Sequence, residues 1–265
     1  MNKINVLIIG NTSSSGWNLK IGLEQFDEVG RVDVVFDSHP TIDGIPTPKE
    51  ELLNPNEYDV IHYHYPFIKT FIKYYNYIKN AKILVCHWRG TDLRGKDFKF
   101  PLNYIYPLIH NYTKSWFFKH ADFHFYSTYD LAWWLRSIPS NKKSHLFQVV
   151  DTDQFKPINC KKKGVFRNKG GAFGYKESKI THDEMPTYMN QFKKAEIIPG
   201  AGLDVHTIQV THLEAAACGL QVKWHEHLDR DWVLYNASIP VFSTKVITTY
   251  ICLLNKKGVN GHGDY

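Results

Sequence analysis

Thr211-His-Leu-Glu-Ala-Ala-Ala-Cys-Gly-Leu-Gln-Val222 is the stretch that decides the fold. Its first residues read as the last turns of a helix, Gly219 as the stop, and the apolar residues after it as a buried strand. One carboxylate, Glu214, stands in a run that is otherwise small and apolar. A carboxylate removed from water needs donors to offset its desolvation. Glu214 is therefore either capped by the protein or positioned for a ligand.

Working outward, the first half of the chain alternates strand and helix signals. Residues 4–9, 32–36, 59–63, 82–86, 122–126 and 144–149 form short apolar runs bounded by polar turns, and residues 17–26 carry a helical pattern through Leu19, Leu23 and Phe26. Strands of this kind separated by helical stretches predict an α/β fold with a parallel sheet covered on both faces. Beyond a boundary at Val150-Asp-Thr-Asp-Gln-Phe-Lys-Pro157, the same alternation returns. It places a helix over 183–192, a strand over 196–198, a helix over 205–217 and a strand over 220–224. The expected domains are residues 1–157 and 158–265.

Ligands of open parallel sheets sit at the carboxyl ends of the strands, so the loops there carry the candidates. Gly10-Asn-Thr-Ser-Ser-Ser-Gly16 follows the first strand and opens a helix. Asn11, Ser14 and Gly16 present amides and hydroxyls to a sugar or an anion, or act only as helix caps. Asp59-Val-Ile-His-Tyr-His64 puts His62 and His64 on one side of a strand end. Two histidines at that spacing suit a metal, but the sequence shows no third ligand, so none is expected. Cys86-His-Trp-Arg-Gly-Thr-Asp-Leu-Arg-Gly95 packs His87, Arg89 and Asp92 into one turn, with Asp92 open to a second reading as a helix cap.

Four of these stretches resemble retaining glycosyltransferases of the GT-B fold, family 4-like, the glycogen-synthase-like and mannosyltransferase-like group. Thr211–Val222 is similar to its Glu-Ala-Met-Ala-Cys-Gly-Leu-Pro-Val segment. Residues 86–95 are similar to its His-Gly-Ser-Asp-Leu-Arg motif, and residues 59–64 to its Asp-Val-Ile-His-x-His pattern. Residues 150–157 resemble the segment that closes the group's first domain. The resemblance implies two Rossmann-like domains facing a cleft, with the second one reduced. It also implies metal-independent transfer of a sugar from a UDP- or GDP-linked donor, with retention, to a glycan or lipid-linked acceptor.

On this resemblance Glu214 holds the donor ribose and His87 stands beside the transferring sugar, with Arg89 as an anion contact. His64 lines the cleft. Arg167 and Lys169, in the basic stretch after Pro157, neutralise the diphosphate, although a solvated surface also explains them. The helix start at Thr207 and Ile208 faces the same diphosphate. The chain departs from the group at His206, which stands where the group has a second carboxylate. The distance from Pro157 to Glu214 is also much shorter than in the group.

Composition narrows the classes. The net charge of +6 is mild and spread along the chain, which favours anionic small substrates or lipid headgroups over a dedicated nucleic-acid binder. No run reaches the length of a membrane span, and the first strand lacks the features of a signal peptide. Four scattered cysteines without a Cys-x-x-Cys pair predict reduced thiols and a cytoplasmic protein. The segments 67–79 and 98–119 interleave aromatic residues with lysines, which fits either peripheral membrane contact or helices packed on a sheet. The expected cofactor set is empty, the nucleotide sugar being a co-substrate. Two rivals stand beside the enzyme reading. One is a non-catalytic nucleotide- or glycan-binding relative acting with a partner. The other, a sugar-nucleotide epimerase or dehydrogenase, lacks Gly-x-Gly-x-x-Gly and a placed Tyr-x-x-x-Lys pair.

Overall fold

The computed structural model describes residues 3–10, 15–35, 53–64, 66, 68–90, 93, 105–169, 180, 183–198 and 207–258. The chain divides into two compact units, residues 1–146 with 243–265, and residues 147–242. The chain passes between them twice, and its last helix belongs mainly to the first unit.

The first unit is built on six parallel strands, β1 (Ile4–Ile9), β2 (Val29–Val35), β3 (Val60–His64), β4 (Ile83–Trp88), β5 (Phe123–Tyr126) and β6 (Lys143–His145). Their order in the sheet is β2-β1-β3-β4-β5-β6, with every pairing parallel. Between them run α1 (Ser15–Leu23), α2 (Ile68–Ile78), α3 (Ile105–His120) and α4 (Leu131–Trp134). Strands buried on both faces read as continuous apolar runs, and β1, β3 and β4 are buried along almost their whole length. One face carries Leu7, Ile9, Ile61, Tyr63, Leu84, Cys86 and Trp88, packed with Phe71, Tyr74 and Ile78 of α2 and Phe117 of α3.

The sheet's order reverses between β1 and β3, because β2 lies on one side of β1 and β3 on the other. Gly10 sits at that reversal with φ of 94°, and a Cβ there would stand 2.6 Å from the His64 carbonyl oxygen. Only glycine satisfies both conditions, since the clash is with backbone and the conformation is left-handed.

The second unit holds a three-stranded parallel sheet, β7 (Val165–Lys169), β8 (Lys194–Ile198) and β9 (Gln221–Val222), in that order. Its helices are α5 (Met185–Met189), α6 (Val210–Ala217) and α7 (Arg230–Asn236), and α8 (Ile239–Lys256) starts there and runs into the first unit. Two polar side chains tie its loops. Asn190 accepts from the Ile158 amide at 2.8 Å and donates to the Lys156 and Pro186 carbonyls. Arg230 donates to the carbonyls of Thr152, Phe155 and Ala217, holding the segment 152–155 to the end of α6.

Several elements differ from the sequence reading. The basic stretch after Pro157 contains a strand, β7, whose alternation buries Phe166 and Asn168 and leaves Arg167 exposed. The helix expected over 205–217 starts only at Val210. There the His212 amide donates to the Gln209 backbone carbonyl at 3.0 Å, and the His212 ring reaches back to accept from the Gln209 amide at 3.0 Å. Thr207 and Ile208 thus precede the helix as irregular backbone. All four cysteines are free thiols, Cys86 and Cys218 buried, Cys160 and Cys252 exposed. No helix among the described residues is long and apolar enough to cross a membrane.

Gly10→Ala should cost about 2 kcal/mol or more, from the left-handed conformation and the backbone clash together, read as a lower urea midpoint. A midpoint within error of wild type would refute the close approach. Stability should also fall with acid. Burial, with Lys142 and Lys143 nearby, lowers His124 to about 3, and its Nδ1 accepts from the Trp88 indole at 3.1 Å. Burial and His225 lower His212 to about 4. The unfolded chain protonates both near 6.5 and so binds more protons below that value, which makes stability fall as pH drops. Each histidine then removes about 1.4 kcal/mol per pH unit. Urea midpoints at pH 7.5 and 5.5 test this, and His124→Gln should flatten the dependence.

Candidate functional site

Strand alternation sends Ile61 and Tyr63 of β3 into the core beneath the sheet and turns His62 and His64 to the opposite face. The parallel register pairs His64 with His87 across β3 and β4, so His87 projects on that same face. The three rings converge. His62 and His64 stack with centroids 4.5 Å apart, His64 and His87 lie 4.8 Å apart, and His62 and His87 5.6 Å. The Phe125 ring of β5 lies 5.8 Å from His87 and 6.0 Å from His62.

A hydroxyl stands beside each imidazole. Tyr250 Oη of α8 lies 2.5 Å from His62 Nδ1, Ser15 Oγ of α1 lies 3.4 Å from His64 Nδ1, and Ser127 Oγ lies 3.1 Å from His87 Nε2. All three histidines are fully buried. Burial is the main cause of their low basicity, and the charge of Arg89 adds to it, so His62 falls to about 3 and His64 and His87 fall well below the usual range. Burial likewise holds the Tyr250 phenol far above its ordinary value. At neutral pH the cluster is a set of uncharged imidazoles beside the Arg89 guanidinium, which is 8% exposed. Neutral imidazoles offer a donor and an acceptor each, which suits a hydroxyl-rich ligand. One nitrogen from each ring lies within 4.8 Å of the other two, a grouping able to hold a metal ion.

His64, His87 and Arg89, three of the residues singled out in the sequence, thus meet at the carboxyl ends of β3 and β4. His62 joins them. Gly16 is buried in the first turn of α1, next to Ser15. Asn11, Ser14 and Asp92 lie outside the described residues, as does His206 of the second unit. Tyr250 was missed in the sequence, where the end of the chain carries no motif; the only signal is a tyrosine within an apolar helical run.

In the second unit, Glu214 is 4% exposed on α6, every residue of which from Thr211 to Ala217 is buried. Burial, and then the Glu214 carboxylate, pushes the neighbouring Cys218 thiol up to about 12. Lys162 donates to the Cys218 carbonyl at 3.2 Å, which places a cation at the end of the same helix. Arg167 is exposed on β7 and pairs with Glu196 of β8 at 3.2 Å; Glu196 also pairs with Lys223 at 2.6 Å. Lys169 ends β7, and Thr207 and Ile208 are half-buried ahead of α6.

No family model matches the sequence, and no curated protein matches it. Among solved structures the chain is similar in fold to a UDP-N-acetylglucosamine 2-epimerase, with a TM-score of 0.51 and 11% identity. That similarity covers 97% of this chain and 91% of the other. At that identity the likeness is one of fold, an α/β architecture of parallel, Rossmann-like sheets.

Proposed function

We propose that the protein is a glycosyltransferase that moves a sugar from a UDP- or GDP-linked donor to a glycan or lipid-linked acceptor, without a metal and with retention. The observation that carries the reading is Glu214, a carboxylate buried on a helix beside Leu213 and three alanines. The residues around it in the sequence resemble the segment that carries the ribose-binding glutamate in those glycosyltransferases. The likeness in fold to a protein named for a UDP-sugar reaction adds support for nucleotide-sugar handling.

In this reading Glu214 accepts from the ribose hydroxyls, while Arg167, Lys169, Thr207, Ile208 and His206 attend the diphosphate and the donor sugar. His87 stands beside the reacting sugar and holds or moves a proton as a neutral imidazole. Arg89, with His64, Gly16, Asn11, Ser14 and Asp92, forms the acceptor side. Arg167 already pairs with Glu196, so contact with a diphosphate requires it to exchange that partner. An exposed pair of this kind contributes little to stability, and the exchange is cheap. The departure at His206 favours a second reading, a nucleotide-binding relative without turnover.

UDP or GDP should raise the melting temperature, because a ligand selective for the folded state stabilises it by about 2.7 kcal/mol at a hundredfold excess over Kd. Glu214→Ala should abolish that shift; an unchanged shift in the variant removes the donor-site assignment. UDP-N-acetylglucosamine is the first sugar nucleotide to assay. Transfer should survive EDTA, and loss on chelation with recovery in Mn²⁺ or Mg²⁺ would refute the metal-free mechanism. His87→Ala should lower turnover by about 100-fold or more, while nucleotide affinity holds, since a group acting in the transition state affects rate more than ground-state binding. Nucleotide binding without transfer or hydrolysis across a broad donor panel would establish the non-catalytic reading instead.

A further inference from the structure

The three-histidine cluster is more than a polar lining. Buried polar atoms in native proteins are nearly always hydrogen-bonded, yet the Nε2 atoms of His62 and His64 are buried with no hydrogen-bond partner among the described residues. The Nδ1 atoms of the same two rings face Tyr250 Oη and Ser15 Oγ. A histidine held at one nitrogen by an outer partner and presenting the other inward is the arrangement that orients imidazoles toward a metal. The third ring, His87, faces Ser127 Oγ through its Nε2.

We propose that His62, His64 and His87 bind one transition-metal ion of the Zn²⁺ class, with an anion in the remaining position. The donor set selects the ion. Three imidazoles and no carboxylate suit Zn²⁺, Co²⁺, Ni²⁺ or copper and offer nothing to Mg²⁺ or Ca²⁺, which take oxygen ligands. Arg89 sets the fourth ligand. A dication beside this buried guanidinium and three uncharged rings requires a negative partner such as hydroxide or chloride, which the guanidinium also attracts. The spacing requires adjustment: nitrogens within 4.8 Å of one another must close to about 3.4 Å around a tetrahedral ion with bonds of about 2.1 Å. Small rotations of three side chains on adjacent strand ends achieve that.

This inference goes beyond the transfer reading and does not depend on it. An ion on the cluster occupies His87, so it opposes that reaction and is no cofactor for it.

The test uses Co²⁺, whose visible bands report coordination, on full-length protein stripped with a chelator. One Co²⁺ per chain should bind with the intense bands of a four-coordinate site, be displaced by Zn²⁺, and be unaffected by excess Mg²⁺. X-ray absorption of the Zn²⁺ form should show three imidazoles. His64→Gln and His87→Gln should each abolish the bands, and Tyr250→Phe should weaken affinity by about 10–100-fold as the loss of an outer partner. Circular dichroism checks that each variant folds, and the absorption spectrum of the wild type decides the matter if one does not. If native protein takes up no Co²⁺, it is refolded with the ion present. Failure of both, fewer than three imidazoles in the absorption spectrum, or unchanged bands in the folded histidine variants, overturns the proposal.

Discussion

The first unit depends on how closely β1 and β3 approach where the sheet reverses direction. Gly10 lies against the His64 carbonyl with no room for a Cβ. The same contact fixes the height at which β3 ends relative to β1. Parallel pairing then carries that register across to β4, so that His64 stands level with His87. A slip of one residue in a strand sends every side chain to the opposite face. It would drop His62 and His64 into the apolar core and bring Ile61 and Tyr63 out in their place. The apolar core on the other face, from Leu7 to Trp88, resists that slip.

A cost accompanies the arrangement. Three imidazoles and a guanidinium are withdrawn from water, and none of the imidazoles keeps a proton charge at neutral pH. Serine and tyrosine hydroxyls recover part of the lost hydration, and α8 brings one of them, Tyr250, from the far end of the chain. Such polar clusters at the ends of parallel strands persist where a ligand benefits from them, because apolar packing would serve stability better. In the second unit the comparable feature is Glu214, a carboxylate carried into a buried helix whose far end is held by Arg230 and Lys162.

The fold class was legible from local pattern. Short apolar runs bounded by Gly10 and polar turns mark β1 to β5, and each appears in the sheet within a few residues of its expected bounds. The second unit was harder to read. β7 hides inside a basic stretch because only Phe166 and Asn168 face inward, so lysines and arginine dominate its composition. The start of α6 was displaced by a contact of the His212 ring with the Gln209 amide, a pairing that composition does not signal.

By itself the sequence determined the alternating α/β plan, the buried strands and the polar character of the loops after them, because these follow from short-range periodicity and burial. It also singled out His64, His87, Arg89 and Glu214 by their residue types. The tertiary structure decided which of them meet. His62 and His64 lacked a third ligand in the sequence, since His87 is 23 residues from His64 in the chain and becomes its neighbour only through the β3–β4 register. Tyr250 is 188 residues from His62 and reaches it because the final helix returns to the first unit. Local propensity carries no information about such contacts; packing alone creates them.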